Sequence, residues 1–261
     1  NNYNKEVIGL AFDGTGYGDD GTIWGSEFLI ADKRQFKRIA SFEPFRLPGG
    51  DEAVKDVWKI GLSLLYNIFK TDIPEKFNHV KSEQVIELLE KNINCPFTSS
   101  LGRIFDGVAA ICGISYTVST EAEAAILLEE MASGVTTNSY FIIPYSKDNG
   151  IYKADTTSLV KDITHLILQE KSIEEISAIF HNSIVELIIS IVLLIRKNFN
   201  INTLALSGGV FQNRILLRNL IDRAEGEGFS LLLPKNVAFN DSSLALGQIA
   251  IANEILLKEK E

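Results

Sequence analysis

Apolar residues first recur along this chain in short runs that suit strands: Val7–Phe12, Thr22–Ala31 and Phe36–Phe42, with a turn at Asp32-Lys33. These runs predict a meander over residues 6–43. Leu47-Pro48-Gly49-Gly50-Asp51 breaks the pattern, and the spacing then becomes helical through Lys70. Val54, Val57, Trp58, Gly61, Leu62 and Leu65 share one face of that helix, and Asp51 is placed to cap it. Helices are also predicted over Lys81–Lys91, Ser100–Cys112 and Thr120–Ala132, which makes residues of about 51–135 a helical insertion. Asn138–Pro144 and Gly150–Lys153 read as a short strand pair, and Thr157–Glu170 and Ile173–Asn198 as helices. The last third alternates: strand Thr203–Leu206, helix Val210–Glu225, strand Ser230–Leu233, helix Ser242–Lys258. Alternation of that kind signals parallel strands with crossover helices, so residues of about 138–258 form a β/α part and the class is α/β. With no internal repeat or clear linker, residues 1–261 read as one compact unit.

Composition narrows the function. The 261 residues are 46% apolar and 23% charged, enough for a sizeable core. A net charge of −9 argues against a broad nucleic-acid surface or an anionic membrane as partner, but leaves room for a nucleotide held by a local site or a metal. Cys95 and Cys112 have no CxxC or other metal spacing, which fits a reducing, cytoplasmic setting. The most apolar run, Ile184–Ile195, carries Glu186 and Ser190 and by itself is too short to span a bilayer, so a buried core helix is expected. The chain opens Asn1-Asn2-Tyr3-Asn4 without a Met and enters a strand at once, which reads as a piece of something longer.

Three glycine- or aspartate-bearing turns carry candidate chemistry. Asp13-Gly14-Thr15-Gly16-Tyr17-Gly18 follows the first strand, where bare backbone N–H groups form an anion-binding nest and Asp13 calls for a cation beside it. The same residues also suit a glycine-rich hairpin, since Asp20-Gly21 and the second strand follow. Ser207-Gly208-Gly209-Val210-Phe211-Gln212-Asn213 runs from a buried strand into a helix, where a ligand meets the backbone and the Asn213 amide; a plain strand-to-helix turn uses the same glycines. Phe239-Asn240-Asp241-Ser242-Ser243 precedes the last helix, with Asp241 either its N-cap or a metal ligand. Asp106 is a polar residue on an otherwise apolar helix, and Glu121 and Glu123 open another, where carboxylates favour the positive end. His79, His165 and His181 show no metal-binding spacing; His165 and His181 read as packed or capping residues.

Together these motifs resemble a known family. Phe12–Gly18, Asp20-Gly21-Thr22-Ile23-Trp24-Gly25, Leu47–Asp51, Thr98-Ser99-Ser100-Leu101-Gly102-Arg103-Ile104-Phe105-Asp106, Ser207–Asn213, and Asn240-Asp241 with Ala245-Leu246-Gly247-Gln248 are similar, in order, to the hydrogenase maturation carbamoyltransferases of the HypF family. The resemblance runs from about Val7 to Ala252. It implies the second lobe of a carbamoyltransferase domain, a ribonuclease H-like lobe of the actin/Hsp70/sugar-kinase (ASKHA) type. The implied reaction passes the carbamoyl group of carbamoyl-adenylate, made from carbamoyl phosphate and ATP by an upstream adenylate-forming domain, to the carboxy-terminal cysteine of a HypE-like acceptor for cyanide ligand synthesis. By the same likeness Asp13, Gly14, Thr15 and Gly16 cradle phosphate or carbamoyl, Asp106 would hold the ribose, Glu121 would help bind the nucleotide, and Gly208, Gly209 and Asn213 line the adenosine pocket. Asp13 and Asp241 would ligate a divalent metal (Zn, Fe or Mg).

The paired histidines that precede the first loop in the family are not in this sequence. Ala122, Ser26 and Ser242-Ser243 stand where glycines are usual. A first lobe packing on this one implies an exposed apolar face here. The alternatives from the same residues are a non-catalytic nucleotide-binding or docking fragment, or a tRNA threonylcarbamoyl-transfer subunit; the second is disfavoured by the acidic charge.

Overall fold

The computed structural model describes residues 3–258. Strands β1 (Val7–Tyr17), β2 (Ile23–Ala31) and β3 (Phe36–Phe42) form the expected meander. β1 does not stop at Phe12 but runs on through the glycines, pairing with β2 as far as Tyr17 opposite Ile23. The short strand β4 (Phe45–Arg46) precedes the helical insertion of α1 (Val57–Phe69), α2 (Ser82–Lys91), α3 (Leu101–Ile111) and α4 (Glu123–Ala132), and the equally short β5 (Phe97–Thr98) divides α2 from α3. The segment predicted as one helix from Asp51 instead opens with a 3-10 turn over Gly50–Val54, and α1 starts at Val57; the side chain of Asp51 lies outside the described residues.

After the insertion come β6 (Tyr145–Asp148), β7 (Ile151–Ala154), α5 (Thr156–Leu168) and α6 (Ile173–Phe199). The first strand of the β6–β7 pair falls at 145–148, not 138–144. The reason is the turn: Asn149 and Gly150 both have positive φ (49° and 87°), and such a two-residue Asn-Gly turn fixes the strands immediately on either side. The chain closes with β8 (Thr203–Ser207), α7 (Arg214–Gly226), β9 (Ser230–Leu232) and α8 (Leu244–Lys258).

Among the described residues the strands form one sheet in the order β6-β7-β3-β2-β1-β8-β9, with β5 joining β2 and β4 joining β5. β8 runs parallel to β1, and β9 parallel to β8. The carboxyl ends of β1 and β8 therefore lie side by side, with Ala11 opposite Ser207, where the sheet order reverses from β3-β2-β1 to β8-β9. In open α/β sheets such a reversal opens a crevice at the strand ends, the usual place for a ligand. This is the ribonuclease H-like arrangement that the resemblance implied.

Alternate residues of β1, namely Ile8, Leu10 and Phe12, are fully buried beneath the α3 side of the sheet. α3 packs on α1 and β1, while α6 packs on α4, α5 and α7. α6 is 27 residues long, and by length and composition it would cross a membrane, but 72% of its most apolar window is buried inside the protein. It is a core helix, and the apolar run that looked short is its middle. Both thiols are buried, and burial pushes Cys112 up to about 12, so it stays protonated.

α8 is the exception to a well-covered fold. Leu244, Leu246, Ile249, Ile251, Ile255 and Leu256 are each 45–66% exposed, and Glu254 anchors the helix to Lys33 at 3.2 Å. A helix that is apolar on every side belongs in an interior, so α8 presents the exposed apolar face expected of a lobe.

Candidate functional site

The site grows from the β1–β2 hairpin. Its register shifts between Phe12 and Gly16, so Asp13-Gly14-Thr15 bulge out of the ladder at the crevice. Both readings of this stretch meet here: it is a hairpin, and its bulge frees backbone at the strand end. The Asp13 carboxylate accepts the Gly14 N–H at 2.7 Å and a backbone hydrogen bond from Gly209 across the sheet. A Cβ at residue 209 would lie 3.3 Å from Asp13 Oδ1. The first and second glycine turns, almost two hundred residues apart, thus close on one carboxylate. Burial holds Asp13 above its ordinary range, Asp241 and Glu121 push it further up, and the Gly14 and Gly209 N–H groups pull it down. Asp13 and Gly209 are therefore brought together, and Asp241 and Glu121 lie near enough for their charges to act on Asp13.

Gly208 makes this approach possible. Its φ is 101°, and a Cβ there would sit 2.1 Å from the carbonyl oxygen of Phe12. Just beyond it, Phe211 stacks on Phe12 at 5.2 Å between ring centres. After the 3-10 turn Gly209–Gln212, the helix restarts at α7 with Asn213 as N-cap. Asn213 Oδ1 accepts the Leu216 N–H at 2.8 Å, and its Nδ2 donates to His181 Nε2 at 3.0 Å. His181 Nδ1 donates in turn to the Ser177 carbonyl oxygen at 2.8 Å. Complete burial pushes His181 down to about 4, so it is neutral and structural, as its apolar neighbours suggested. Most of the bonding capacity of the Asn213 amide is thus spent inside the fold.

Asp106 does not open onto the crevice either. It is 2% exposed and pairs with Arg103 one turn earlier, Nη1 to Oδ2 at 3.0 Å, and burial raises it to about 6 against the opposing pull of Arg103. Arg103, from the Thr98–Asp106 motif, also reaches the first loop. Its guanidinium lies against Gly14, with Nη2 2.9 Å from where a Cβ would be, and Ser100, the cap of α3, donates to the Asp13 carbonyl oxygen at 2.6 Å. Glu123 caps the loop before α4, accepting from the Ser119 N–H at 2.7 Å and the Thr120 N–H at 3.1 Å.

The hairpin that carries the bulge is held from below. Desolvation, the largest single effect on Asp20, raises it, but the Thr22 Oγ1, Thr22 N–H and Trp24 Nε1 donors and the charge of Arg38 together bring it down to about 2. Arg38 stacks over Trp24 at 4.0 Å and bonds buried Glu27, which also accepts from Ser99 at 2.8 Å.

The departures from the family pattern have local explanations. Ser26 is fully buried and accepts the Phe42 N–H at 2.9 Å, stitching β2 to β3. Ser242 and Ser243 lie in a 3-10 turn with no positive φ, so serine is unstrained there. Asn240, rather than Asp241, caps that turn, which leaves the Asp241 carboxylate exposed. Ala122 does sit at φ 59°, left-handed, at the entry to α4. Ala122→Gly is therefore expected to stabilise the protein by about 0.5–1 kcal/mol, read as a rise in the urea midpoint with an unchanged slope.

The residues suit part of a metal site and an anion. Asp13 and Asp241 are oxygen donors close enough to repel each other, and a cation between them would relieve that. Among the described residues no group of three or more His, Cys, Asp or Glu is placed to hold a metal, so the chain supplies a partial ligand set. The Gly14 and Gly209 N–H groups are taken by Asp13, whereas an Arg103 Nε buried with no hydrogen-bond partner among the described residues is what a phosphate or oxyanion would satisfy.

Comparison with known proteins assigns the family. Residues 9–248 match the family model described as "Carbamoyltransferase, Kae1-like Domain, second subdomain". The chain belongs to the HypF carbamoyltransferase family. It is 35% identical to the carbamoyltransferase HypF of Synechocystis over 94% of this chain and 34% of that protein. It is 34% identical to the probable carbamoyltransferase HypF of Methanocaldococcus jannaschii over 95% of this chain and 33% of that protein. A crystal structure of full-length HypF in a phosphate- and nucleotide-bound form superposes with a TM-score of 0.92 at 36% identity, over 98% of this chain and 34% of that one. The chain thus spans about a third of the length of these HypF relatives.

Proposed function

We propose that this chain is the second lobe of a carbamoyltransferase domain that passes the carbamoyl group of carbamoyl-adenylate to the terminal cysteine of a HypE-like acceptor protein in the cytoplasm. The observation that carries the reading is the closure of the two glycine turns, through Asp13 and Gly209, at the β1/β8 reversal of the sheet, with the charges of Asp241 and Glu121 acting on Asp13. Family membership supports carbamoyl transfer over other uses of such a crevice. The exposed apolar α8 supports a first lobe of the same protein as its neighbour, with the adenylate-forming domain further upstream.

In the transfer, the acceptor thiolate attacks the carbamoyl carbon, a C–S bond forms, the C–O bond to phosphate breaks and AMP leaves with the electron pair. The thiol proton is lost to solvent or a base. The bulge around Thr15, out of the ladder, faces backbone towards the oxygen that gains charge, and α3, docked on Asp13 through Ser100, keeps that backbone in place. Gly208 and Gly209 bring the start of the α7 segment against Asp13, next to the adenosine side of the ligand. The crevice, closed by the first lobe, would exclude water from a labile acyl-adenylate. A divalent cation on Asp13 and Asp241, completed by ligands from outside this chain, would supply Lewis-acid polarisation of the carbamoyl oxygen.

Calorimetric titration with ATP and a divalent metal, with the chain alone and with a first lobe added, tests this reading. Saturable heat that weakens at least about tenfold in Asp241→Asn is expected, since a charge-assisted contact is lost. No heat even with the first lobe present would rule the reading out.

A further inference from the structure

The position of Arg103 is unusual for a buried cation. It projects from the first turn of α3, which is clamped onto the hairpin bulge: Ser100 bonds the Asp13 carbonyl oxygen, and a Cβ on Gly102 would lie 2.8 Å from Gly14 Cα. The residue is 6% exposed. Asp106 takes Nη1 at 3.0 Å, Nη2 reaches the bare side of Gly14, and Nε is buried with no hydrogen-bond partner among the described residues. A buried donor left unpaired is costly, and guanidinium donors are rarely left so. The groups whose charges act on Asp13 are the carboxylates of Asp241 and Glu121, which repel an anion. Something beside the bulge must offset them if phosphate is to bind there.

We propose that Arg103 is an anion-binding residue of this site, its guanidinium held by Asp106 so that a free edge meets a phosphate oxygen beside Gly14. The ligand class is a phosphate ester of a nucleotide or free phosphate, which present the same oxygens to a planar fork of donors. Asp106 is then a positioning residue: it fixes one arm of the fork and, by pairing it, keeps a buried cation tolerable. The inference rests on the proposed nucleotide site and adds the group that recognises its phosphate. It also accounts for an absent side chain at residue 14, since a Cβ would take the space that Nη2 occupies.

A purely structural pair would hold α3 on the hairpin and affect every ligand alike. Recognition of phosphate predicts a selective loss, so the readout is the affinity of AMP relative to adenosine. Calorimetric titrations of the full chain with AMP, adenosine and inorganic phosphate would be run on wild type, Arg103→Met, Arg103→Lys and Asp106→Asn, with urea midpoints alongside. Wild type is expected to prefer AMP over adenosine. Arg103→Met should cut that preference about tenfold with adenosine affinity unchanged, the scale of one charge-assisted contact. Arg103→Lys should restore part of it, and Asp106→Asn should lower it less than the Met variant does. Should Arg103→Met fail to fold, Arg103→Lys carries the test through its smaller, still selective, loss. A loss confined to AMP identifies the nucleotide phosphate, and a matching loss for inorganic phosphate identifies free phosphate. An unchanged preference in the folded variants, or equal weakening of AMP and adenosine, overturns the assignment to Arg103 while leaving the site itself intact. Wild type that binds neither AMP nor adenosine, even with the first lobe added, overturns both this inference and the proposed nucleotide site.

Discussion

Gly208→Ala is expected to destabilise the protein by about 3–5 kcal/mol and to remove nucleotide and metal binding with it. Two effects add. At φ 101° an L-residue is strained wherever it is placed, and here a Cβ would press to 2.1 Å from the Phe12 carbonyl oxygen, 2.6 Å from its carbon and 2.9 Å from its nitrogen. None of these is the yielding end of a side chain. β1 and β8 are paired on the other side of the contact, from Ile8 opposite Leu204 to Ala11 opposite Ser207, so relief requires parting two central strands. Gly209 would move with it, and Asp13 would lose one of its two backbone donors. Urea unfolding at neutral pH measures the first effect and a calorimetric titration the second. A variant within 1 kcal/mol of wild type would mean that the strand ends are not the rigid frame described here.

The second large effect is one of pH. His181 is buried and neutral, held down to about 4, while in the unfolded chain it titrates near 6.5. Between those values the unfolded state binds the extra proton and the folded state does not. Stability from this residue is therefore fully present above pH 6.5 and is lost as pH falls towards 4, a total of about 3 kcal/mol. His181→Gln removes the titration, so the difference in unfolding free energy between wild type and variant should narrow by about that amount between pH 7 and pH 4. A difference that stays constant with pH would contradict a neutral buried imidazole. The consequence reaches the site, because protonated His181 cannot accept from Asn213, which caps α7 directly after the second glycine turn.

Much of the architecture was legible because side-chain period follows backbone type. The meander, the four helices of the insertion and the closing β-α-β-α could be read from spacing, and boundaries were missed where backbone chemistry overrides hydrophobicity. β1 continues through Asp13–Tyr17 because strand pairing needs only N–H and C=O groups, which glycine supplies as well as valine does. β6 is Tyr-Ser-Lys-Asp, with little apolar signal, and only the Asn149-Gly150 turn marks it. The helix predicted from Val210 breaks at Asn213, which restarts it as a cap; that same capping uses up an amide that looked free for a ligand.

The site was legible as separate turns, whereas their convergence was not. Nothing in the spacing of residues 13 and 209 says that they meet; the parallel register of β1 and β8 brings the two glycine turns together. Burial was equally hidden. A polar residue on an apolar helix face invites a ligand reading, and Asp106 invited one, but its partner Arg103 stands one turn earlier and both are enclosed. The signal available in the sequence was that spacing of three, which on a helix pairs opposite charges. Ala122, which replaces a customary glycine, sits in a left-handed conformation that nothing in the local sequence announces.

The central claim is that the Asp13 crevice performs carbamoyl transfer. Its most direct test is transfer of labelled carbamoyl from carbamoyl phosphate and ATP to an acceptor ending in cysteine, using a protein that joins this chain to the other HypF domains. Asp13→Asn keeps the size of the side chain and its acceptor oxygen for the Gly14 N–H, so the fold should survive. The account predicts that this variant still makes AMP-linked carbamoyl upstream but transfers it at least about a hundredfold more slowly than wild type. Transfer by Asp13→Asn at the wild-type rate would contradict it.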